Sequence, residues 1–152
     1  MSELISPAEF VAVMQESLDR GQEFIFTPSG NSMLPMLDGK HDKVTFSKKP
    51  DQLKRYDVAF YVRRKTDQLV LHRMIGFTKD GAYIFCGDNQ YSYEYGVGDD
   101  DVLAIMTAFT HNGKTYSVND LSYRFYVRRL MLKKRLRRLC RRLYHQLFDR
   151  KQ

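Results

Sequence analysis

The chain has 152 residues, a formal net charge of +7 and 43% hydrophobic residues. This length predicts one domain with a modest core, and no run approaches the ~20 apolar residues that a transmembrane helix needs. Residues 1–22 lack the basic and apolar stretches of a signal peptide. The sequence therefore predicts a cytoplasmic protein in which Cys86 and Cys140 remain reduced thiols.

The first predicted element is a short helix within residues 1–22. Ser6 and Glu9 have the spacing of a capping box, Pro7 suits the first helical position, and Gly21 suits the C-terminal stop. One face at helical spacing is predicted to pack on the domain edge or, as the alternative, to guide substrate. This face comprises Phe10, Val13, Met14 and Leu18.

Residues 23–120 alternate short β-branched and aromatic runs with turns. Asp80-Gly81 and Asn112-Gly113 are typical of hairpin turns. Because no helical segments alternate with these runs, the sequence predicts a mainly antiparallel β domain. The predicted strands are 23–27, 43–47, 57–64, 68–77, 82–86, 102–110 and 115–118.

A turn bounded by glycine and proline follows the first predicted strand and displays Ser32. Pro28 and Gly30 end that strand, and Pro35 prevents the segment from continuing as a central strand or helix interior. A serine on such a turn can present its hydroxyl as a nucleophile, and the backbone N–H groups of the turn can stabilise an oxyanion. Taken alone, the same pattern is also that of a purely structural turn.

Two further blocks follow Ser32 in the chain: His72 lies in an apolar run, and Gly87-Asp88-Asn89 follows the next run. Together with Gly30-Asn31-Ser32-Met33-Leu34-Pro35, they resemble the ordered motifs of the signal peptidase I-like serine peptidases, the superfamily that also holds the self-cleaving LexA-type repressors. The resemblance extends from about Phe24 to Phe109. It implies a coiled, partly barrel-like antiparallel β domain.

The resemblance also implies a serine endopeptidase that cleaves leader or signal-like peptides, with Ser32 as the nucleophile and His72 as the general base. Many relatives carry a lysine at the base position, whereas histidine resembles the archaeal, endoplasmic-reticulum and sporulation-associated branch. Its reference pKa of ~6.5 suits a base at neutral pH. Asp88 is the candidate acid that orients His72. The competing acids are Glu94, Asp99, Asp100 and Asp101.

The oxyanion hole is expected to use the backbone N–H of Ser32. Gly30 stands where many bacterial relatives carry a second donor serine, so that donor is Ser29, Asn31 or water. The substrate-binding candidates beside Ser32 are Gly30, Met33 and Pro35.

The side chains around the serine have structural interpretations as well. Met33, Leu34 and Met36 either line the substrate groove or pack in the core, and at least two of them are expected in the core. Arg73 is expected to form a structural ion pair or to shape the site, without a role in proton transfer. No metal or cofactor is predicted, because the remaining histidines have no metal-ligand spacing. These histidines are His41, His111 and His145.

Residues 121–152 form a basic helical tail without glycine or proline. They hold 12 of the 25 Lys and Arg residues and one of the 18 Asp and Glu residues, which leaves 13 basic and 17 acidic residues in 1–120. The net positive charge is therefore a property of the tail. A narrow apolar stripe on its helical wheel comprises Leu121, Phe125, Leu132, Leu136, Leu139, Leu143 and Leu147.

Three interpretations of this tail compete. It suits the surface of an anionic membrane, on whose inner face the protein would be peripheral. It can instead dock on the β domain or a second copy, or, less favourably, track nucleic acid phosphates. The alternative to a peptidase is a non-proteolytic or self-cleaving regulatory module that uses the tail for binding. The sequence does not indicate an oligomeric state.

Overall fold

The structure is a computed structural model that describes residues 6–148, apart from the side chains at 145, 147 and 148. The predictions for residues 1–5 and 149–152, and for the side chains of His145 and Leu147, lie outside this description. The helices are α1 (Pro7–Asp19) and α2 (Leu121–Phe148), with a 3-10 turn at Asp99–Asp101. The strands are β1 (Phe24–Phe26), β2 (Val44–Lys48), β3 (Val58–Arg63), β4 (Gln68–Phe77), β5 (Tyr83–Cys86), β6 (Glu94–Val97), β7 (Val102–His111) and β8 (Lys114–Ser117).

The predicted fold class is confirmed: the chain is mainly antiparallel β, with a short N-terminal helix and a long basic C-terminal helix. All seven predicted strands are present, with ends that differ from the prediction by at most one residue. Strand β6 was not predicted. It is short, lies at the edge of the sheet, exposes Tyr95, and contains Gly96 at φ 78°, so it lacks the usual strand pattern.

The sheet has the order β1-β2-β7-β3-β4-β5-β6, with β8 paired to β7. Strand β4 pairs with β3 from Gln68 to Arg73, whereas it pairs with β5 only from Arg73 to Phe77. On the β5 side, residues 68–72 of β4 therefore have no strand partner among the described strands. This open edge matters for the candidate site.

Residues 58–61 of β3 are all buried, and since successive side chains point to opposite sides, this part of the strand is buried on both faces. Ala59 and Tyr61 join one buried cluster with Met74 and Phe85. Phe60 points the other way, where its ring lies 5.2 Å from that of Phe26. The core therefore lies on both sides of the centre of the sheet.

Helix α1 begins with the predicted capping box: Ser6 Oγ accepts from the Glu9 N–H, and Glu9 Oε2 accepts from the Ser6 N–H. Met14 and Leu18 are buried, but Val13 is 56% exposed. The prediction that Val13 shares the packing face is therefore wrong. Position 13 lies about 100° around the helix from position 14, at the solvent side of the stripe.

The chain divides into two compact units, residues 1–118 and 119–152. The first holds α1 and the sheet, and the second consists of α2 and its flanking residues. None of the helices within residues 6–148 combines the length and apolarity needed to cross a membrane.

Candidate active site

Ser32 lies half-buried on the turn between β1 and β2. Gly30 adopts φ 98°, in the left-handed region that favours glycine. The side chains of Met33 and Met36 are buried and anchor the turn in the core. Within the turn, the Leu37 N–H donates to the Met33 carbonyl over 3.0 Å. At least two of the three apolar residues after Ser32 thus belong to the core, as predicted.

Two glycines allow other backbone segments to approach this turn closely. A Cβ atom at Gly39 would lie 2.2 Å from the Gly30 carbonyl oxygen, and one at Gly87 would lie 2.7 Å from the Ser32 carbonyl oxygen. The Asn89 N–H donates to the Ser32 carbonyl over 2.8 Å, and Asn89 Nδ2 donates to the Asn31 carbonyl over 3.2 Å. The Gly87-Asp88-Asn89 turn therefore holds the backbone of the serine turn.

Ser32 and His72 line the same cleft, which has a volume of about 510 Å³. One wall is the run Gln68–His72 of β4, and the other includes Gly30 and Met33. Because side chains alternate along a strand, five consecutive residues line a cleft only through the strand edge. This wall is the β4 edge that β5 leaves open. Of the predicted substrate-binding residues, Pro35 is exposed and does not line this cleft.

His72 is buried, and its Nδ1 lies 3.2 Å from the hydroxyl oxygen of Tyr61. The Tyr61 hydroxyl donates its single proton to Glu94 Oε2 over 2.7 Å. In the neutral imidazole, the tyrosine oxygen then accepts from Nδ1–H and Nε2 carries the lone pair. A histidine that acts as a base through Nε2 needs this tautomer, in which Nδ1–H is hydrogen-bonded to a neighbouring acceptor.

Arg63 keeps Glu94 ionised. The arginine Nε donates to Oε1 over 2.7 Å and its Nη2 donates to Oε2 over 2.8 Å. These bonds lower the pKa of Glu94 against the opposing effect of burial. Burial and the bond to Glu94 raise the pKa of Tyr61, so the phenol stays neutral. We call the connected side chains Arg63, Glu94, Tyr61 and His72 the histidine relay.

Asp88 forms an ion pair with Arg73, the residue next to His72. Its two carboxylate oxygens accept from Arg73 Nε over 2.8 Å and from Arg73 Nη2 over 2.7 Å, and both side chains are fully buried. Because His72 and Arg73 are adjacent in β4, their side chains leave opposite faces of the sheet. The geometry therefore does not support Asp88 as the acid that orients His72. It instead secures the turn that holds Ser32, and the ion pair expected of Arg73 is present.

The other candidate acids differ in whether they reach His72. Glu94 reaches His72 through the Tyr61 hydroxyl. Asp99 pairs with Lys49, Asp101 pairs with Arg64, and Asp100 is exposed. Glu94 is therefore the competitor that the structure favours.

Tyr61 was not singled out from the sequence. Its neighbourhood with His72 depends on the strand register, in which Ala59 pairs with His72 and Tyr61 lies diagonally across. Strand alternation puts Ala59 and Tyr61 on one face, but the sequence alone does not reveal which β4 residue lies opposite. The usable signal was a tyrosine within the predicted strand 57–64, which directly precedes the histidine strand in the chain.

The other described histidines pair with aspartates: His41 with Asp38, and His111 with Asp42. Within the described part of the chain, no group of three or more His, Cys, Asp or Glu residues is arranged to hold a metal ion. Comparison of the chain with protein-family models, curated proteins and solved structures finds no match.

Proposed function

We propose that this protein is a serine endopeptidase of the signal peptidase I-like type, with Ser32 as the nucleophile and His72 as the general base. The observation that supports this most directly is that both residues, which are far apart in the sequence, line one cleft. The third motif block also contacts the Ser32 backbone. The alternative of three unrelated structural features does not account for this convergence.

In the proposed reaction, His72 Nε2 takes the proton of the Ser32 hydroxyl while Oγ attacks the scissile carbonyl carbon. The tetrahedral oxyanion accepts from the Ser32 backbone N–H. The intermediate expels the amine, which receives the proton from His72, and leaves an acyl ester on Ser32. Water then attacks the ester with His72 as base, which releases the carboxylate product and restores the serine.

The histidine relay supports this role by fixing the imidazole. Tyr61 accepts from Nδ1–H, and the anionic Glu94 orients the Tyr61 hydroxyl. The relay also places a negative charge where it stabilises the imidazolium that forms during proton transfer. Tyr61 and Glu94 are positioning residues in this scheme, because they act through His72.

The open edge of β4 favours an extended peptide as the substrate. Residues 68–72 have backbone groups along the cleft and no strand partner on that side among the described strands. A peptide that adds as a strand would satisfy those groups and lay its carbonyls past Ser32. A preference for small residues beside the scissile bond, as in leader or signal-like peptides, follows from the family resemblance.

The test combines active-site labelling with peptide cleavage. Purified protein is treated with a fluorophosphonate probe, and separately with a peptide library rich in small residues, followed by mass spectrometry. We expect labelling of Ser32 and defined cuts, both lost in Ser32→Ala and His72→Ala variants that keep their far-UV circular dichroism. Ser47→Ala is the matched control, since Ser47 lies in β2 and does not line this cleft, and it should remain labelled.

The opposite outcome is equally specific. A folded wild type that is neither labelled nor able to cut any peptide, including itself, would overturn the proposal. Cuts that persist in Ser32→Ala would assign the activity to a contaminant or another residue. A regulatory or binding module would then be the better description.

A further inference from the structure

The helix α2 carries an unusual combination of charge and apolar surface. Residues 121–148 contain ten Lys and Arg residues and no Asp or Glu. Four leucines of this helix are nonetheless about half exposed: Leu132 at 58%, Leu136 at 53%, Leu139 at 53% and Leu143 at 48%. Single exposed leucines need no explanation, but these four recur at helical spacing and share one face. We call this face the leucine stripe.

Basic side chains border the leucine stripe on both sides. At 100° per residue, Arg128, Arg135 and Arg142 fall along one border, because they are seven residues apart. Arg129 and Lys133 fall along the other border. The helix thus presents an apolar strip between rows of cations.

We propose that α2 binds the surface of an anionic lipid bilayer and lies in the plane of the headgroups. The leucine stripe would enter the boundary of the acyl chains, while the bordering arginines would reach lipid phosphates with their apolar stems along the stripe. This proposal goes beyond the peptidase activity and does not depend on it.

Charge complementarity favours an anionic bilayer over a second copy of the chain or a nucleic acid as the partner of α2. A second copy that covered the stripe with its own would bring the arginine rows of both helices together, and such like-charge contacts are costly. A nucleic acid would neutralise the cations but leave the leucines in water, because its phosphates offer no apolar surface. A bilayer with acidic headgroups satisfies both features at once.

The exposed Cys140 provides a reporter beside the stripe. Cys86 is buried, so a maleimide carrying an environment-sensitive fluorophore should attach selectively to Cys140 of the full chain. Labelled protein is titrated with phosphatidylcholine vesicles that contain either no phosphatidylserine or about one third phosphatidylserine. We expect a blue-shifted, brighter emission with the acidic vesicles only.

Two sets of substitutions separate the apolar and electrostatic contributions. Replacing all four stripe leucines with glutamine, a good helix former, should abolish the emission shift. Replacing Arg128, Arg135 and Arg142 with glutamine should weaken binding roughly 100-fold, since each basic residue near the surface contributes a factor of about five. The matched control removes three exposed charges from the β unit: Lys40→Gln, Lys65→Gln and Lys79→Gln. This control should bind almost as tightly as wild type.

Each other outcome overturns the proposal. Equal binding to neutral and acidic vesicles would exclude a role for the cations. Binding that tolerates loss of all four leucines together with Leu121→Gln and Phe125→Gln, the exposed apolar residues that continue this face, would indicate a purely electrostatic partner such as nucleic acid, which a competing oligonucleotide would confirm. Absence of vesicle binding together with a leucine-dependent dimer in light scattering would assign the stripe to a second copy. If the four-leucine variant loses helicity, Leu136→Gln with Leu139→Gln replaces it.

Discussion

The side chains of the candidate site make different contacts on the two faces of β4. His72 faces Tyr61 and the Glu94 carboxylate, whereas Arg73 faces Asp88 beneath the serine turn. In the proposed site, Glu94 therefore orients the candidate base through Tyr61, and Asp88 stabilises the element that carries the candidate nucleophile. Two predictions distinguish these roles.

Tyr61→Phe removes the acceptor for His72 Nδ1–H and keeps the aromatic packing, since the Tyr61 ring stacks on Phe85 at 4.5 Å. We expect kcat/KM for a cleaved peptide to fall by about 10- to 100-fold, because a base in mixed tautomers accepts the proton less efficiently. KM should change little. Nitrogen NMR of His72 should show loss of the Nδ1–H tautomer preference. Unchanged kcat/KM and tautomer would contradict the relay.

Asp88→Ala leaves the guanidinium of Arg73 buried without its carboxylate. We expect the free energy of unfolding to drop by about 3–5 kcal/mol in urea titrations, which is typical of breaking a buried ion pair. The double variant Arg73→Met with Asp88→Leu should recover much of this loss, because neither buried charge remains. A loss below about 0.5 kcal/mol for Asp88→Ala would show that the pair is not structural.

Among the elements, the serine turn and the Gly87-Asp88-Asn89 turn form one backbone unit. Their contact needs glycine at position 87, where a Cβ atom would meet the Ser32 carbonyl oxygen at 2.7 Å. Gly76 offers a contrast, because its nearest heavy atom would lie 4.0 Å away, on the Ile84 side chain.

Gly87→Ala should therefore displace the serine turn and lower kcat/KM at least 10-fold, with a loss of stability of about 1–3 kcal/mol from overpacking. Gly76→Ala should leave kcat/KM within about twofold of wild type, because an ordinary contact replaces empty space. For both variants, peptide cleavage measures kcat/KM and urea unfolding measures the stability. Similar activities for the two variants would contradict a tight coupling between the turns.

The stability of the whole molecule should depend on Glu94 in a defined direction. Because bonds from Arg63 lower the pKa of Glu94, the ionised carboxylate stabilises the fold at pH values above its usual pKa, and this contribution is lost as the pH falls through the lowered pKa. Glu94→Gln should be less stable than wild type at pH 7. The difference should stay constant down to about pH 5 and shrink below it. Urea titrations at pH 7, 5 and 3 measure this difference in the free energy of unfolding. A difference that grew as the pH fell would contradict a stabilising role of the ionised Glu94 carboxylate.

Local patterns were sufficient for most of the architecture. The seven predicted strands are present because alternation and turn residues act over a few positions. The capping box of α1 is likewise a contact between residues three apart. Strand β6 escaped prediction because an edge strand with a glycine depends on its neighbour β5 more than on its own sequence.

The sequence alone indicated the mainly antiparallel sheet, the position of Ser32 on a turn, the basic helix and the pair of candidate residues Ser32 and His72. It did not determine which distant acid His72 and Arg73 each meet, because that depends on strand register and on the path of the loop from β5 to β6. The register placed Tyr61 against His72 and brought Glu94 behind it, while Asp88 closed on Arg73 from the other face. Pairing between strands is a non-local property, and a one-residue slip would have exchanged the two faces.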